Sequence, residues 1–324
     1  MATPSHLPWG SIELLHNAVR TLNYLHTLGQ PLPRLRYRAK VKLHGTNVGV
    51  QITDDGVFAQ SRTQLLSPAD DLKGFAAFVA ERAELFAALP RDLTLFGEWA
   101  GPGVEKGMAV SGLPHKVFAV FALQWGRGEE ARVEVEPERI RAVLPERPEL
   151  RVLPWEPAYA VDIDYGDPAQ LRVAAERING FVAEVEAEDP WVKRTFGLSG
   201  VGEGLVYYPE GEHPGERLFQ LMFKAKGDKH RTAGLKPAQA SATVATGVPD
   251  FVALMLTEAR LEQGVRDGCG GLAEPRKMGE FLRWIAVDLE KESVAELEVS
   301  GLSWPQVAKA VQQRAREWFL VRCR

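Results

Sequence analysis

KVKLHGTNVG, residues 40–49, alternates basic and apolar side chains and then runs straight into Gly-Thr-Asn. On a strand, side chains return to the same face every second residue, so Lys40, Lys42 and His44 point together while Val41 and Leu43 point the other way. Three basic groups on one face of a strand end imply an anionic partner. Upstream, RYRAKVKL extends the alternation; downstream, NVGVQIT and VFAQSR are joined by Asp54-Asp55-Gly56, a hairpin signal. DLTLFGEW and KVFAVFAL add two strands, and GEGLVYYP and RLFQLMFKAKG two more on either side of the turn-like EGEHPGE.

Helical patterns interrupt these strands. Ser11 is placed to cap a first helix with Leu14, Leu15, Val19, Leu22 and Leu25 at helical spacing. Residues 70–89 read as one amphipathic helix, and another is predicted from about Pro168 to Glu186. The acidic stretch 126–190 resists assignment beyond that last helix. Strands and helices mix without a regular βαβ rhythm, which predicts an α+β fold with a mixed or antiparallel sheet. After the small-residue linker GLKPAQASATVATGVPD only helical patterns remain. A boundary near residue 237 therefore predicts domains 1–236 and 237–324, the second smaller and all-helical.

The 324 residues suffice for two domains and a sizeable core. A hydrophobic fraction of 45% and a charged fraction of 25% are those of a globular chain and exclude disorder. The net charge of −4 and pI near 6.0 do not advertise a nucleic-acid binder, but phosphate affinity depends on a local basic surface. Cys269 and Cys323 are too few for a disulfide framework and lack zinc spacing. With no leader-like N-terminus and no apolar run of membrane-spanning length, the expected location is cytoplasmic, away from membranes.

The chain has no Gly-Lys pair and so no Walker loop, and Gly101, Gly103 and Gly107 lack the dinucleotide spacing. The polar residues that stand out sit on or beside strands: Lys42, Glu98, Glu203, Lys224 and Lys226. Singly, each reads as a solvated charge. Together they form a kit for phosphoryl or nucleotidyl transfer. A lysine amine attacks only when deprotonated, and neighbouring cations such as Lys40 and Lys224 favour the neutral form. Glu98 and Glu203 offer hard oxygens suited to Mg²⁺ or Mn²⁺. Lys224 and Lys226, two apart on a strand, can hold one phosphate together.

These motifs resemble those of the covalent nucleotidyltransferases, the polynucleotide ligases and mRNA capping enzymes. Lys42-Leu43-His44-Gly45 is similar to their nucleotidyl-lysine motif in its KxHG form, and the following Thr46-Asn47 resembles the HGTN of RNA ligase 2 and the trypanosome editing ligases. Arg62 falls where those enzymes place an arginine. Phe96-Gly97-Glu98 resembles motif III, Phe118 in VFAVFAL motif IIIa, Glu203-Gly204-Leu205-Val206 motif IV, and Lys224-Ala225-Lys226 motif V. The order and spacing of five motifs make an ATP-dependent RNA ligase of the RNA ligase 2 type the closest resemblance. Two positions depart from it: Val41 stands where those enzymes often carry Glu, and Ala122 where motif IIIa continues to Asp.

The resemblance implies roles. Lys42 would take AMP from ATP through a phosphoramidate. Phe118 would stack on adenine and Glu98 would bind ribose. Arg62 and Asn47 would contact phosphate or its metal, and Lys40, His44 and Gly45 would complete the nucleotide site. Glu203 would hold Mg²⁺ or Mn²⁺, and Lys224 and Lys226 the α-phosphate. AMP would pass to a 5′-phosphate end, and a 3′-hydroxyl would displace it. The implied partner is RNA with such ends, a nicked duplex, with a kinase or phosphatase to heal ends and the ligase itself a monomer. DNA ligases and capping enzymes carry an OB barrel after motif V, whereas this remainder is helical, like the C-terminal domain of RNA ligase 2. There Arg260 and a last helix with Lys309, Arg314, Arg316, Arg322 and Arg324 would meet RNA. The alternatives are DNA nick ligation, GTP-dependent capping, or a non-catalytic nucleotide- or RNA-binding protein.

Overall fold

The structure, a computed structural model, describes residues 4–128, 131–226, 247–256, 258–269, 272–293, 297 and 300–323. The chain divides into two compact units, Met1–Gly227 and Asp228–Arg324. The boundary expected near residue 237 lies outside the described residues.

The first unit is α+β. Its strands are β1 (Glu13–Leu14), β2 (Arg34–Lys42), β3 (Thr46–Thr53), β4 (Gly56–Ser61), β5 (Leu65–Leu66), β6 (Leu93–Ala100), β7 (Val117–Trp125), β8 (Arg132–Glu134), β9 (Leu150–Val152), β10 (Val161–Asp164), β11 (Gly204–Pro209) and β12 (Phe223–Lys226). Its helices are α1 (Leu15–Thr27), α2 (Phe75–Glu81), α3 (Ala83–Ala87), α4 (Pro137–Val143), α5 (Pro168–Ala187), α6 (Pro190–Phe196) and α7 (Gly215–Leu221). A five-stranded sheet runs β1-β12-β11-β2-β10, and a larger sheet runs β5-β4-β3-β6-β7-β8 with β9 beside β7. Most pairings are antiparallel; β1 with β12 and β9 with β7 are parallel.

Three apolar clusters follow from strand alternation. Val48, Val50, Ile52, Leu93, Leu95, Trp99 and Phe118 turn one face of the larger sheet onto α2 and α3. Tyr37, Ala39, Leu205 and Tyr207 turn one face of the smaller sheet onto Ala18 and Leu22 of α1 and Ile178 and Val182 of α5. A third cluster draws on both sheets, with Val41 and Tyr208 from one and Phe96, Ala119 and Phe121 from the other. Trp9 belongs to it, its ring 5.0, 5.2 and 4.8 Å from those of Phe96, Phe121 and Phe219. Trp9→Ala is expected to cost about 3–5 kcal/mol, read as a lower denaturant midpoint, because rigid rings on three sides cannot collapse into the space.

Three local expectations are corrected. The helix predicted over 70–89 is two helices broken at Arg82. RLFQL is helical, as α7, with Leu218 and Leu221 buried at helical spacing after Pro214; only Phe223–Lys226 is strand. Ser11 does not cap α1, because Glu13 and Leu14 are drawn into pairing with β12 and the helix starts at Leu15.

The second unit contains α8 (Val248–Met255), α9 (Glu258–Gln263), α10 (Met278–Glu292) and α11 (Trp304–Arg322) around Phe251, Phe281, Ile285, Val311 and Phe319. A capping box of Ser303 and Gln306 starts α11. Its described residues include no strand. Among all described residues, no helix is long and apolar enough to cross a membrane.

Candidate active site

Three neighbouring strands set the cationic groups in register. Gly204 of β11 lies opposite Lys42 of β2 on one side and Lys226 of β12 on the other; Val206 likewise lies between Lys40 and Lys224. Residues opposite one another share a face, so all four lysines project from the same side of the smaller sheet. Lys42 and Lys226 are two strand spacings apart, about 10 Å at the backbone. With no side chain at Gly204 between them, both reach one carboxylate. Lys42 Nζ donates to Glu203 Oε2 at 2.7 Å, and Lys226 Nζ lies 3.5 Å from Oε1. His44 Nδ1 is 3.6 Å from Glu203 Oε2. Burial alone would raise the Glu203 carboxyl, but Lys42, Lys226 and His44 hold it well below the usual carboxylate range. The nearest charge to the Lys42 amine is thus a carboxylate and not the cations expected beside it.

The larger sheet contributes Glu98, directly opposite Asn47 in register. Gly45 N–H donates to Glu98 Oε1 at 3.2 Å. Only glycine fits there, since a Cβ would meet Trp99 O at 2.4 Å and Glu98 Cγ at 2.9 Å. Burial pushes the Glu98 carboxyl up to about 7, against the pull of Lys42 and with the repulsion of Glu203. At neutral pH it can therefore donate as well as accept a hydrogen bond. A raised carboxyl favours folding fully below its unfolded value near 4.5, and that contribution is lost as pH rises toward 7. Glu98→Gln is accordingly expected to gain stability over the parent at pH 8, on the order of 1–3 kcal/mol, and to show no such gain at pH 4. Paired denaturant titrations at the two pH values check this.

Lys40 and Phe118 lie away from this cluster. Lys40 is 1% exposed. Its ammonium donates to the carbonyls of Phe121 at 2.8 Å and Val135 at 2.7 Å, under the rings of Trp155 and Tyr208 at 4.6 and 5.3 Å. Burial holds it well below the usual lysine value. Phe118 is fully buried in the cluster on the far face of β7, 5.1 Å from Phe75, whereas Ala119 lies opposite Glu98. A register shift on β7 makes Phe121 an extra residue and turns both Phe121 and Ala122 toward the cluster between the sheets. Strict alternation could not reveal that. Arg62 donates from Nη2 to Ser11 Oγ at 3.0 Å, a contact that no motif in the sequence marks.

In the helical unit Arg260 is 2% exposed, with Nε 3.0 Å from Asp288 Oδ2 and Nη1 donating to Met255 O. Arg314 and Arg316 are exposed on α11, Arg314 beside Glu317 at 3.8 Å. Arg322 pairs with Glu262, and Arg324 lies outside the described residues.

Among the described residues no group of three or more His, Cys, Asp or Glu side chains is arranged to hold a metal. The ionised Glu203 carboxylate suits the mode in which Mg²⁺ or Mn²⁺ takes one protein carboxylate and its remaining oxygens from substrate phosphate and water.

Fold and site together define an α+β protein in which two sheets bring a strand-borne lysine, two glutamates and further lysines into one cluster. The RNA ligase family model matches residues 36–226, more than half of the chain, from within β2 to the end of β12. The chain belongs to the RNA ligase family. Among solved structures it is similar to Naegleria gruberi RNA ligase with pyrophosphate, at 16% identity and a TM-score of 0.42, covering 70% of this chain and 57% of that one. A mutant of the same enzyme with AMP and Mn gives 17% identity, a TM-score of 0.45 and coverage of 70% and 57%. Another mutant, with ATP and Mn, gives 16%, 0.44, and 70% and 58%. The chain thus spans less than two thirds of the length of these relatives.

Proposed function

We propose that this protein is an ATP-dependent RNA ligase that joins 3′-hydroxyl and 5′-phosphate ends through lysyl-AMP. The observation that carries the reading is the Lys42–Glu203–Lys226 cluster, in which one amine with strand-fixed geometry faces a buried carboxylate beside a second lysine. Family membership supplies the substrate class.

In the first step Lys42 gives up its proton and attacks the α-phosphorus of ATP. An N–P bond forms and the bond to pyrophosphate breaks. Lys224 and Lys226 lie on the face where charge on the phosphoryl oxygens would collect, so their contribution is positioning and charge neutralisation. Glu98 would take a ribose hydroxyl, and Glu203 would hold Mg²⁺ or Mn²⁺, which would neutralise phosphate charge. AMP then passes to a 5′-phosphate, and a 3′-hydroxyl displaces it to close the strand. Nicked duplex is the proposed substrate, with the exposed Arg314 and Arg316 of the helical unit as phosphate contacts. Arg260 and Phe118, both buried, are packing residues in this reading.

The test is incubation with α-labelled ATP and Mg²⁺ or Mn²⁺ followed by a denaturing gel, then a panel of nicked RNA and DNA duplexes. Label that survives denaturation and sealing of RNA nicks are the expected results. Folded, AMP-free protein that stays unlabelled with either metal would sink the proposal.

A further inference from the structure

Residues 5–14 form a strap that crosses from one sheet to the other, and its polar anchors are unusually complete. On the larger sheet, Leu7 N–H donates to Gln60 Oε1 at 3.2 Å while Leu7 O accepts from Gln60 Nε2 at 2.6 Å. Ser5 O accepts from Gln51 Nε2 at 3.3 Å and from Arg127 Nη2 at 2.9 Å, and Arg127 Nη1 reaches Ser5 Oγ at 2.9 Å. The two glutamines, each 1% exposed, are joined to one another at 2.5 Å. A buried amide costs free energy unless it is bonded, so Gln51 and Gln60 fix the strap's course along this sheet. Trp9 then wedges between the sheets, and Glu13 and Leu14 pair with Phe223 and Lys224 of β12.

Between these two anchorages stands Ser11, whose Oγ accepts from Arg62 Nη2. Ser11 precedes Glu13 by two residues, a chain length of about 7 Å. Arg62 itself follows Ser61, which lies opposite Val48, and so leaves β4 at the end of the larger sheet where Asn47 stands opposite Glu98; there the strap gives its guanidinium a fixed acceptor. An unrestrained arginine samples many rotamers, and a fixed acceptor removes part of the cost of ordering it before substrate arrives.

We propose that Ser11 is a positioning residue for Arg62 in lysyl-AMP formation. The inference rests on the ligase reading above, together with the contact to phosphate or its metal that the resemblance implies for Arg62. It assigns the start of the chain, outside the matched family region 36–226, a part in the chemistry.

The experiment is a double-mutant cycle read by the single-turnover rate of labelling with α-labelled ATP, with thermal midpoints in parallel. Ser11→Ala is expected to slow labelling on the order of fivefold, the share expected of a solvent-exposed hydrogen bond to a charged group. Ser11→Thr, which keeps the hydroxyl, should restore most of the rate. In an Arg62→Ala background Ser11→Ala should change nothing further, with midpoints unaltered, because the two side chains act as one unit. Parent-like labelling by Ser11→Ala, or losses that multiply in the double variant, would overturn the proposal. An unlabelled parent protein would overturn the ligase reading along with it, whereas a labelled parent with an indifferent Ser11→Ala would overturn this inference alone.

Discussion

Lys42→Ala is expected to carry no covalent AMP and to seal no ends when supplied with ATP, while keeping a folded midpoint close to that of the parent. The loss should be complete within detection, because in the proposed mechanism the bond to phosphorus would form at the deleted nitrogen and no neighbour could substitute. Lys40 is committed to two carbonyls, and Lys226 stands two strands away. Lys42→Arg should be as inactive, since a guanidinium stays protonated and does not act as a nucleophile. Fold survival follows from the partners that remain. Breaking a buried pair costs about 3–5 kcal/mol when the surviving charge is left alone. Glu203 keeps Lys226 at 3.5 Å and His44 at 3.6 Å, so most of its compensation persists. The variant also separates two steps. Given a strand already carrying a 5′-AMP cap, Lys42→Ala should still join it, because that step does not use the amine. Label retained on Lys42→Ala after denaturation would place the nucleophile elsewhere.

The strand pattern around residues 34–61 was legible because period-2 alternation and a turn signal are local. The Asp54-Asp55-Gly56 hairpin closes with Thr53 opposite Gly56. The convergence of Lys42, Glu203 and Lys226 followed from motif order, although only the register shows that a glycine separates the two lysines. What stayed hidden was set by tertiary contacts. Alternation places Lys40 on the face of Lys42 but does not say that Phe121, Val135 and Trp155 cover it. The choice of Phe118 rests on its likeness to motif IIIa, which does not say that it faces the cluster under α2, or that a bulge at Phe121 breaks the alternation beyond it. Arg260 reads as a surface charge until Asp288, on another helix, appears beside it. Ser11 has the chemistry of a helix cap, yet the neighbouring edge of β12 claims the backbone that a cap would need.

Gly204→Ala is expected to be the most damaging substitution that removes no functional atom. Gly204 has φ +150°, a conformation L side chains rarely adopt. A Cβ there would meet Ala225 O at 2.1 Å and Lys226 Cα at 3.0 Å, both atoms of the adjoining strand's backbone. No rotamer change can relieve that overlap, so β12 must move away from β11 or the backbone before Leu205 must turn. Either response displaces Lys226 relative to Glu203 and Lys42. Backbone strain of this kind costs about 1–3 kcal/mol, and loss of strand pairing adds to it. The catalytic cost should be larger than the stability cost, since a misplacement of about 1 Å in a phosphoryl-transfer site can lower the rate on the order of 100-fold. Gly103→Ala is the control: φ is +76°, but nothing lies within 4 Å of the added Cβ. It should pay the conformational penalty and keep its labelling rate. Both variants are to be compared with the parent for denaturant midpoint and for labelling at a temperature where all three are folded. Parent-like labelling by fully folded Gly204→Ala would mean that the separation of Lys42 and Lys226 across β11 does not govern the chemistry.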